Sequence, residues 1–284
     1  NAEEAWEITT GSEDVIVAVL DTGVDISHED LAGAIWENTA ETANGQDDDG
    51  NGYIDDLHGW DFANDDSSVY DDTKDSQEAD EDRHGTHVAG IIAGQHNGKG
   101  IRGVAANVRI MPLKFLRGND GGFTFDAVEG ILYAEKMGAS IVNCSWGSYG
   151  YSSILESVMA ESNMLFVCAA GNDFVSTDEM THYPSGYELP NVISVAALST
   201  NGFLCDFSNF GSKVDIAAPG RNVYSTLPKN RYGSMDGTSM AAPFVSGIAA
   251  LVKSNTPALS AKMIRQKILA GHSDLTNGSQ LPKI

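Results

Sequence analysis

Residues 15–21 read VIVAVLD. Six apolar residues run without a polar break, so both faces of the segment should be covered. A strand with one wet face would alternate instead. Valine and isoleucine also favour extended backbone, because a branched side chain packs well on a pleated surface. The same pattern returns in VRIMPLKFL (108–116), ASIVNCSWG (139–147), MLFVCAAGN (164–172), VISVAAL (192–198) and VDIAAPG (214–220). Between these runs the apolar spacing turns helical, in HGTHVAGIIAG (84–94), TFDAVEGILYAEKMG (124–138) and SSILESVMAESN (152–163). Two more helical patterns, SMAAPFVSGIAALVKS and SAKMIRQKILAG, close the chain. Strand and helix in this rhythm predict an α/β fold: three layers, doubly wound, with a mostly parallel central sheet and helices on both faces. Ligands of such sheets bind beyond the carboxyl ends of the strands. Asp21 with Gly23, Ser145 with Gly147, and Gly171 with Asn172 stand at such ends and should converge on one edge.

The 284 residues, 42% apolar, predict one domain spanning 1–284. Seventeen basic against 40 acidic residues give a net charge of −23, which argues against nucleic acid or an anionic membrane as partner. Residues 41–82 hold sixteen acidic residues against Lys74 alone, so this segment dominates the imbalance. It reads as a solvated insertion, a cation site, or both. Residues 272–284 read as a frayed tail. Three cysteines, Cys144, Cys168 and Cys205, exclude a disulfide scaffold, and those in strands read as small hydrophobes. The longest apolar runs are too short to span a bilayer. Asn1 in place of methionine implies that any targeting segment has been removed or was not included.

In GTSMAAPFVSG (237–247) a lone serine stands at the start of an apolar helix. Alone it would be a cap. To attack a carbonyl it needs a base, a carboxylate that orients the base, and donors for the oxyanion. Asp21 in LDTGVD, His84 in HGTHVAG and Ser239 supply the carboxylate, the base and the nucleophile, in that order along the chain. His84 and His87 could suggest a metal pair, but zinc-protease helices need His-Glu-x-x-His, and neither that glutamate nor that spacing is present.

The blocks VAVLDTGVDISHEDL, HGTHVAGIIAG, IVNCSWG, CAAGND and GTSMAAPFVSG, in this order, resemble the subtilisin-like serine proteases, from about Trp6 to the helix near Ala270. The resemblance implies a triad of Asp21, His84 and Ser239, with Asn172 as oxyanion donor beside the Ser239 N–H. It implies a first specificity pocket walled by Ser145, Trp146 and Gly147 and by Ala170 and Gly171. By the same resemblance the floor of that pocket would include His182, which is expected to draw acidic or polar side chains. Gly121, Gly122 and Phe123, within NDGGF (119–123), would pair with an extended substrate as an added strand. The implied activity is a serine endopeptidase. A transpeptidase or macrocyclase on the same scaffold, and a non-catalytic binding module, remain as alternatives.

The loop DDDGNGYID (47–55) has calcium-loop spacing: Asp47, Asp49, Asn51, the Tyr53 carbonyl and Asp55, with a glycine at the sixth position. His58 replaces the usual closing glutamate, so Asp55 or Asp56 would close the site. By resemblance, a second calcium would take Asp30, Asn97 and the carbonyls of Gln95, Lys99 and Ile101. Both ions, and any further ones, would be structural. The expected partners are a polypeptide substrate and an inhibitory N-terminal prosegment or protein inhibitor. The protein is expected to be a monomer, secreted or held in a secretory vesicle, and present in its mature form.

Overall fold

The computed structural model describes residues 2–70, 83–118 and 121–271. Much of the acidic stretch at 65–82, the Asn119–Asp120 pair and the tail at 272–284 therefore lie outside the described residues. The helices are α1 (Ala2–Trp6), α2 (Arg83–Ala93), α3 (Thr124–Lys136), α4 (Ser153–Glu161), α5 (Thr238–Asn255) and α6 (Ala261–Ala270). The strands are β1 (Ile16–Asp21), β2 (Trp60–Asp61), β3 (Arg109–Lys114), β4 (Ile141–Cys144), β5 (Leu165–Ala169), β6 (Val192–Leu198) and β7 (Ile216–Pro219). A separate antiparallel hairpin joins β8 (Val223–Leu227) to β9 (Arg231–Met235).

The seven strands form one parallel sheet in the order β2-β3-β1-β4-β5-β6-β7. The unbroken apolar run of β1 is explained by the two faces. Val17 and Val19 enter one core with Val88 and Ile92 of α2 and Val245 of α5. Ala18 and Leu20 enter the other, with Ile131 of α3, Met159 of α4 and Phe166 of β5. Each such side chain removed from water contributes about 1.5–3 kcal/mol before ordering costs. Ser152 and Ser260 cap α4 and α6 by accepting the N–H groups of Leu155 and Met263.

β2 and the β8–β9 hairpin are absent from the strands read in the sequence. Two residues are too few for a period. The hairpin adds Val223 to the core beside α2 but otherwise docks on that helix through hydroxyls: Ser225 Oγ donates to the His87 carbonyl and Thr226 Oγ1 to that of Thr86. Its inward face therefore carries little hydrophobic signal.

Candidate active site

Asp21 ends β1 and is fully buried. The chain then turns at Gly23, where φ is +102° and a side chain would collide with the Val69 carbonyl. A Cβ on Gly85 would strike the Gly23 carbonyl in turn. Bare backbone at both positions lets the first turn of α2 lie against the end of β1. His84 is thereby delivered to Asp21: Nδ1 donates to Oδ1 over 2.7 Å, and the imidazole remains 22% exposed. Thr22 N–H donates to the same carboxylate oxygen, and the Thr22 hydroxyl accepts from Gly85 N–H. Burial by itself would lower the His84 pKa. The charge of Asp21 and its hydrogen bond outweigh burial, so the pKa is raised above its ordinary 6.5.

Ser239 lies in the first turn of α5, where the helix dipole favours negative charge. Its hydroxyl donates to the Ser145 carbonyl at 2.9 Å, so in this rotamer the proton is engaged there rather than with His84. Asn172 accepts from Thr238 N–H (2.9 Å) and the Thr238 hydroxyl (3.0 Å) through Oδ1. Its amide NH₂ is thus left as the donating end. His87, the other histidine of the motif, is buried and serves the scaffold. Its Nε2 donates to the carbonyls of Val223 and Gly233, and burial lowers its pKa to about 4.

The two walls of the expected pocket face each other, and His182 stands between them. A Cβ on Gly147 would collide with the imidazole, and one on Gly171 would lie 3.1 Å from its Cδ2. The ring is held by Ser185 at 3.1 Å and is 6% exposed. Burial lowers its pKa to about 4, so it is neutral near pH 7. An uncharged ring therefore stands between the two walls and brings no positive charge there for an acidic side chain. Tyr149, unremarked in the sequence, spans the same region. Its ring lies 5.4 Å from that of His182, and its hydroxyl donates to Asp173 at 2.6 Å. Trp146 packs edge-on against Phe115 at 4.8 Å, with its indole N–H buried and unpartnered among the described residues. Ala170 is buried, and its carbonyl accepts from Asn209. Gly121–Phe123 belong to no strand of this structure; they form the loop entering α3.

Cys144 and Cys168 stand side by side in β4 and β5, fully buried as free thiols. Burial pushes the Cys168 thiol well up, the opposite of what a nucleophile needs.

The 47–55 loop closes differently from the reading of its spacing. Asp47 accepts the N–H groups of Gly50, Asn51 and Gly52, and the Gly52 bond leads in holding its carboxyl below the usual range. Asp55 turns away to the N–H groups of Asn44 and Gly45. Asp56 is saturated by Asn38, Asn51 and the Tyr133 hydroxyl. Asn51 also donates to Asp49, and Tyr53 N–H donates to Asn51. Glu41, which the spacing did not single out, meets Asp47 and Asp49 with ligand oxygens within 4.8 Å of one another. Glu41 is 4% exposed and its Oε2 has no partner among the described residues. Six residues of separation hid it in the general acidity of the segment. At the other expected site, Asp30 and Asn97 do meet, at 2.8 Å. Ile101 N–H and the Tyr232 hydroxyl also donate to Asp30, each at 3.0 Å. Gln95 N–H donates to the Asp30 carbonyl, and Lys99 N–H to the Asn97 side chain. Among the described residues that carboxylate is met by protein donors on both oxygens.

A thermophilic serine proteinase of Bacillus sp. (strain AK1) is 39% identical over 254 residues, 88% of this chain and 55% of that protein. The major intracellular serine protease of Bacillus subtilis (strain 168) is 37% identical over 262 residues, 89% of this chain and 72% of that one. The crystal structure of a cold-adapted subtilisin-like serine proteinase superposes with a TM-score of 0.71 at 28% identity, covering 91% of this chain and 83% of the other. The chain thus spans little more than half of the first of these relatives. The family described as the subtilase family (Peptidase_S8) matches residues 12–281, and the chain belongs to it.

Proposed function

We propose that the chain is a serine endopeptidase. The observation that carries the reading is the 2.7 Å Asp21–His84 bond on the strand edge that also holds Ser239 and the anchored amide of Asn172. Ser239 Oγ leaves the Ser145 carbonyl and attacks the peptide carbonyl while His84 Nε2 takes its proton. Asp21 holds the imidazole in the tautomer that can accept, and stabilises the imidazolium. Asn172 and the Ser239 N–H receive the oxyanion. His84 then protonates the leaving amine. Water, deprotonated by His84, hydrolyses the acyl-enzyme and frees Ser239. The deciding experiment is labelling by a fluorophosphonate: the wild type should be modified on Ser239, and Ser239→Ala should not. An unlabelled, correctly folded wild type would refute the reading.

The neutral ring of His182 between Gly147 and Gly171 supports a shallow first pocket, suited to a small side chain at the residue preceding the scissile bond. Gly121–Phe123 offer backbone for the substrate to pair with. The same cleft would take an inhibitory prosegment or a protein inhibitor. The orphaned Glu41 oxygen, with Asp47 and Asp49 beside it, fits one calcium ion, a hard cation that takes carboxylate ligands. Its role would be to hold the acidic loop together. A calcium-rich setting outside the cell or in a secretory vesicle would keep it loaded. No helix among the described residues is long and apolar enough to cross a membrane.

A further inference from the structure

Ser239 is followed four residues later by Pro243, inside α5. In an unbroken helix the N–H of residue 243 would donate to the carbonyl of residue 239. Proline has no such N–H, so the helix leaves the carbonyl of its own serine without its regular donor. Ser145 supplies one from the sheet: its hydroxyl donates to Ser239 O at 2.7 Å.

Behind Ser145 the bonds continue inward. Asn143 Nδ2 donates to Ser145 Oγ at 2.8 Å, and Ser246 Oγ donates to Asn143 Oδ1 at 2.8 Å. Asn143 and Ser246 are both wholly shielded from solvent. The sense of this chain is forced from one end. Ser239 O is a carbonyl and only accepts, so the Ser145 proton must point at it. Ser145 Oγ must then accept from Asn143, which fixes the amide with Nδ2 towards Ser145 and Oδ1 towards α5. Oδ1 only accepts, so Ser246 must donate. A flipped amide would put Oδ1 against Ser145, pull the proton away from α5 and leave two acceptors facing each other at 2.7 Å.

We propose that Asn143 and Ser246 are positioning residues for the nucleophile: acting through Ser145, they fix the carbonyl of Ser239 and with it the first turn of α5. The inference rests on Ser239 being the nucleophile. The Ser239 N–H belongs to the same turn, so its aim at the oxyanion depends on the same lock. Ser246 reaches the reaction from seven residues along the helix without touching substrate. Its hydroxyl is the donor to Asn143 Oδ1; alanine there would leave that buried acceptor unpaired and the amide held from the Ser145 side alone.

The test uses Ser246→Ala, Ser145→Ala and the double variant, with kcat referred to sites titrated by a fluorophosphonate so that any misfolded fraction drops out. One buried neutral hydrogen bond corresponds to about a fivefold effect. Ser246→Ala should lower kcat by about fivefold with KM within about twofold of wild type. In the Ser145→Ala background it should lower kcat no further, because its route to Ser239 is already cut. An unchanged kcat in Ser246→Ala, or the same fall in both backgrounds, would overturn the proposal while leaving the peptidase reading intact. A wild type that takes no label would overturn both.

Discussion

If the proposed pocket is right, replacing His182 by glycine should widen its preference from small residues to large ones. In the wild type the imidazole occupies the space between Gly147 and Gly171, with 6% of the residue exposed. Removing it opens a slot lined by bare backbone on both sides. A leucine or phenylalanine side chain entering that slot would leave water for a buried environment, worth about 1.5–3 kcal/mol. At 1.4 kcal/mol per decade this corresponds to about 10- to 150-fold in kcat/KM for the large residue relative to alanine. The alanine substrate should change little, since its methyl group does not reach the ring. The loss of the bond to Ser185 should lower stability by about 1 kcal/mol, beyond which any cavity adds its own cost. The assay is kcat/KM on a peptide series varied only at the residue before the scissile bond. If the wild type already favours phenylalanine or leucine, the imidazole does not block the pocket. If His182→Gly leaves the ratio unchanged, the slot is not where that side chain goes.

Four other outcomes follow from the same geometry. The acid limb of kcat/KM should have its midpoint above pH 6.5, because the net effect of Asp21 over burial raises His84; Asp21→Asn should move that midpoint downward and lower kcat. Stability should run the other way for this pair: what His84 gains from Asp21 is present below its unfolded pKa and is lost as pH rises through its folded one. His87 has the opposite sign: its folded pKa is depressed to about 4, so its contribution is present above 6.5 and lost as pH falls towards 4, on the order of 3 kcal/mol, measurable by urea unfolding at successive pH values. Asn172→Ala should lower kcat by about 10²–10³ with little change in KM, and an unimpaired variant would remove Asn172 from the oxyanion site. Saturating chelator should lower Tm by on the order of 5 °C, and Glu41→Gln should make the protein indifferent to the chelator; a Tm insensitive to chelator in the wild type would dismiss the ion.

The doubly wound sheet was legible because its strands are covered on both faces, and burial on both faces writes a continuous apolar run into each. β1 and β6 are the clearest cases, differing from their sequence limits by at most one residue. Chemistry at strand ends was legible for a related reason: a parallel sheet puts all its carboxyl ends on one edge, so Asp21, Ser145 and Asn172 had to be neighbours. The hairpin β8–β9 was not legible, since its packing face sets Ser225 and Thr226 beside a single buried apolar residue of β8, Val223. Glu41 was hidden because a carboxylate in a run of carboxylates has no distinguishing neighbour until the chain folds back over it.

By itself, then, the sequence determined the layer order, the edge on which the site lies and the chemical identity of its reacting groups. These depend on local periodicity and on residue type. Only the tertiary structure shows that the His182 ring stands between Gly147 and Gly171, that Tyr232 donates to Asp30 while one Glu41 oxygen has no partner among the described residues, and that hydrogen bonds run from Ser246 through Asn143 to Ser145. Each is a matter of a few tenths of an ångström between side chains that can lie two hundred residues apart. Burial, hydrogen-bond saturation and the direction of a shared proton exist only once those distances are set.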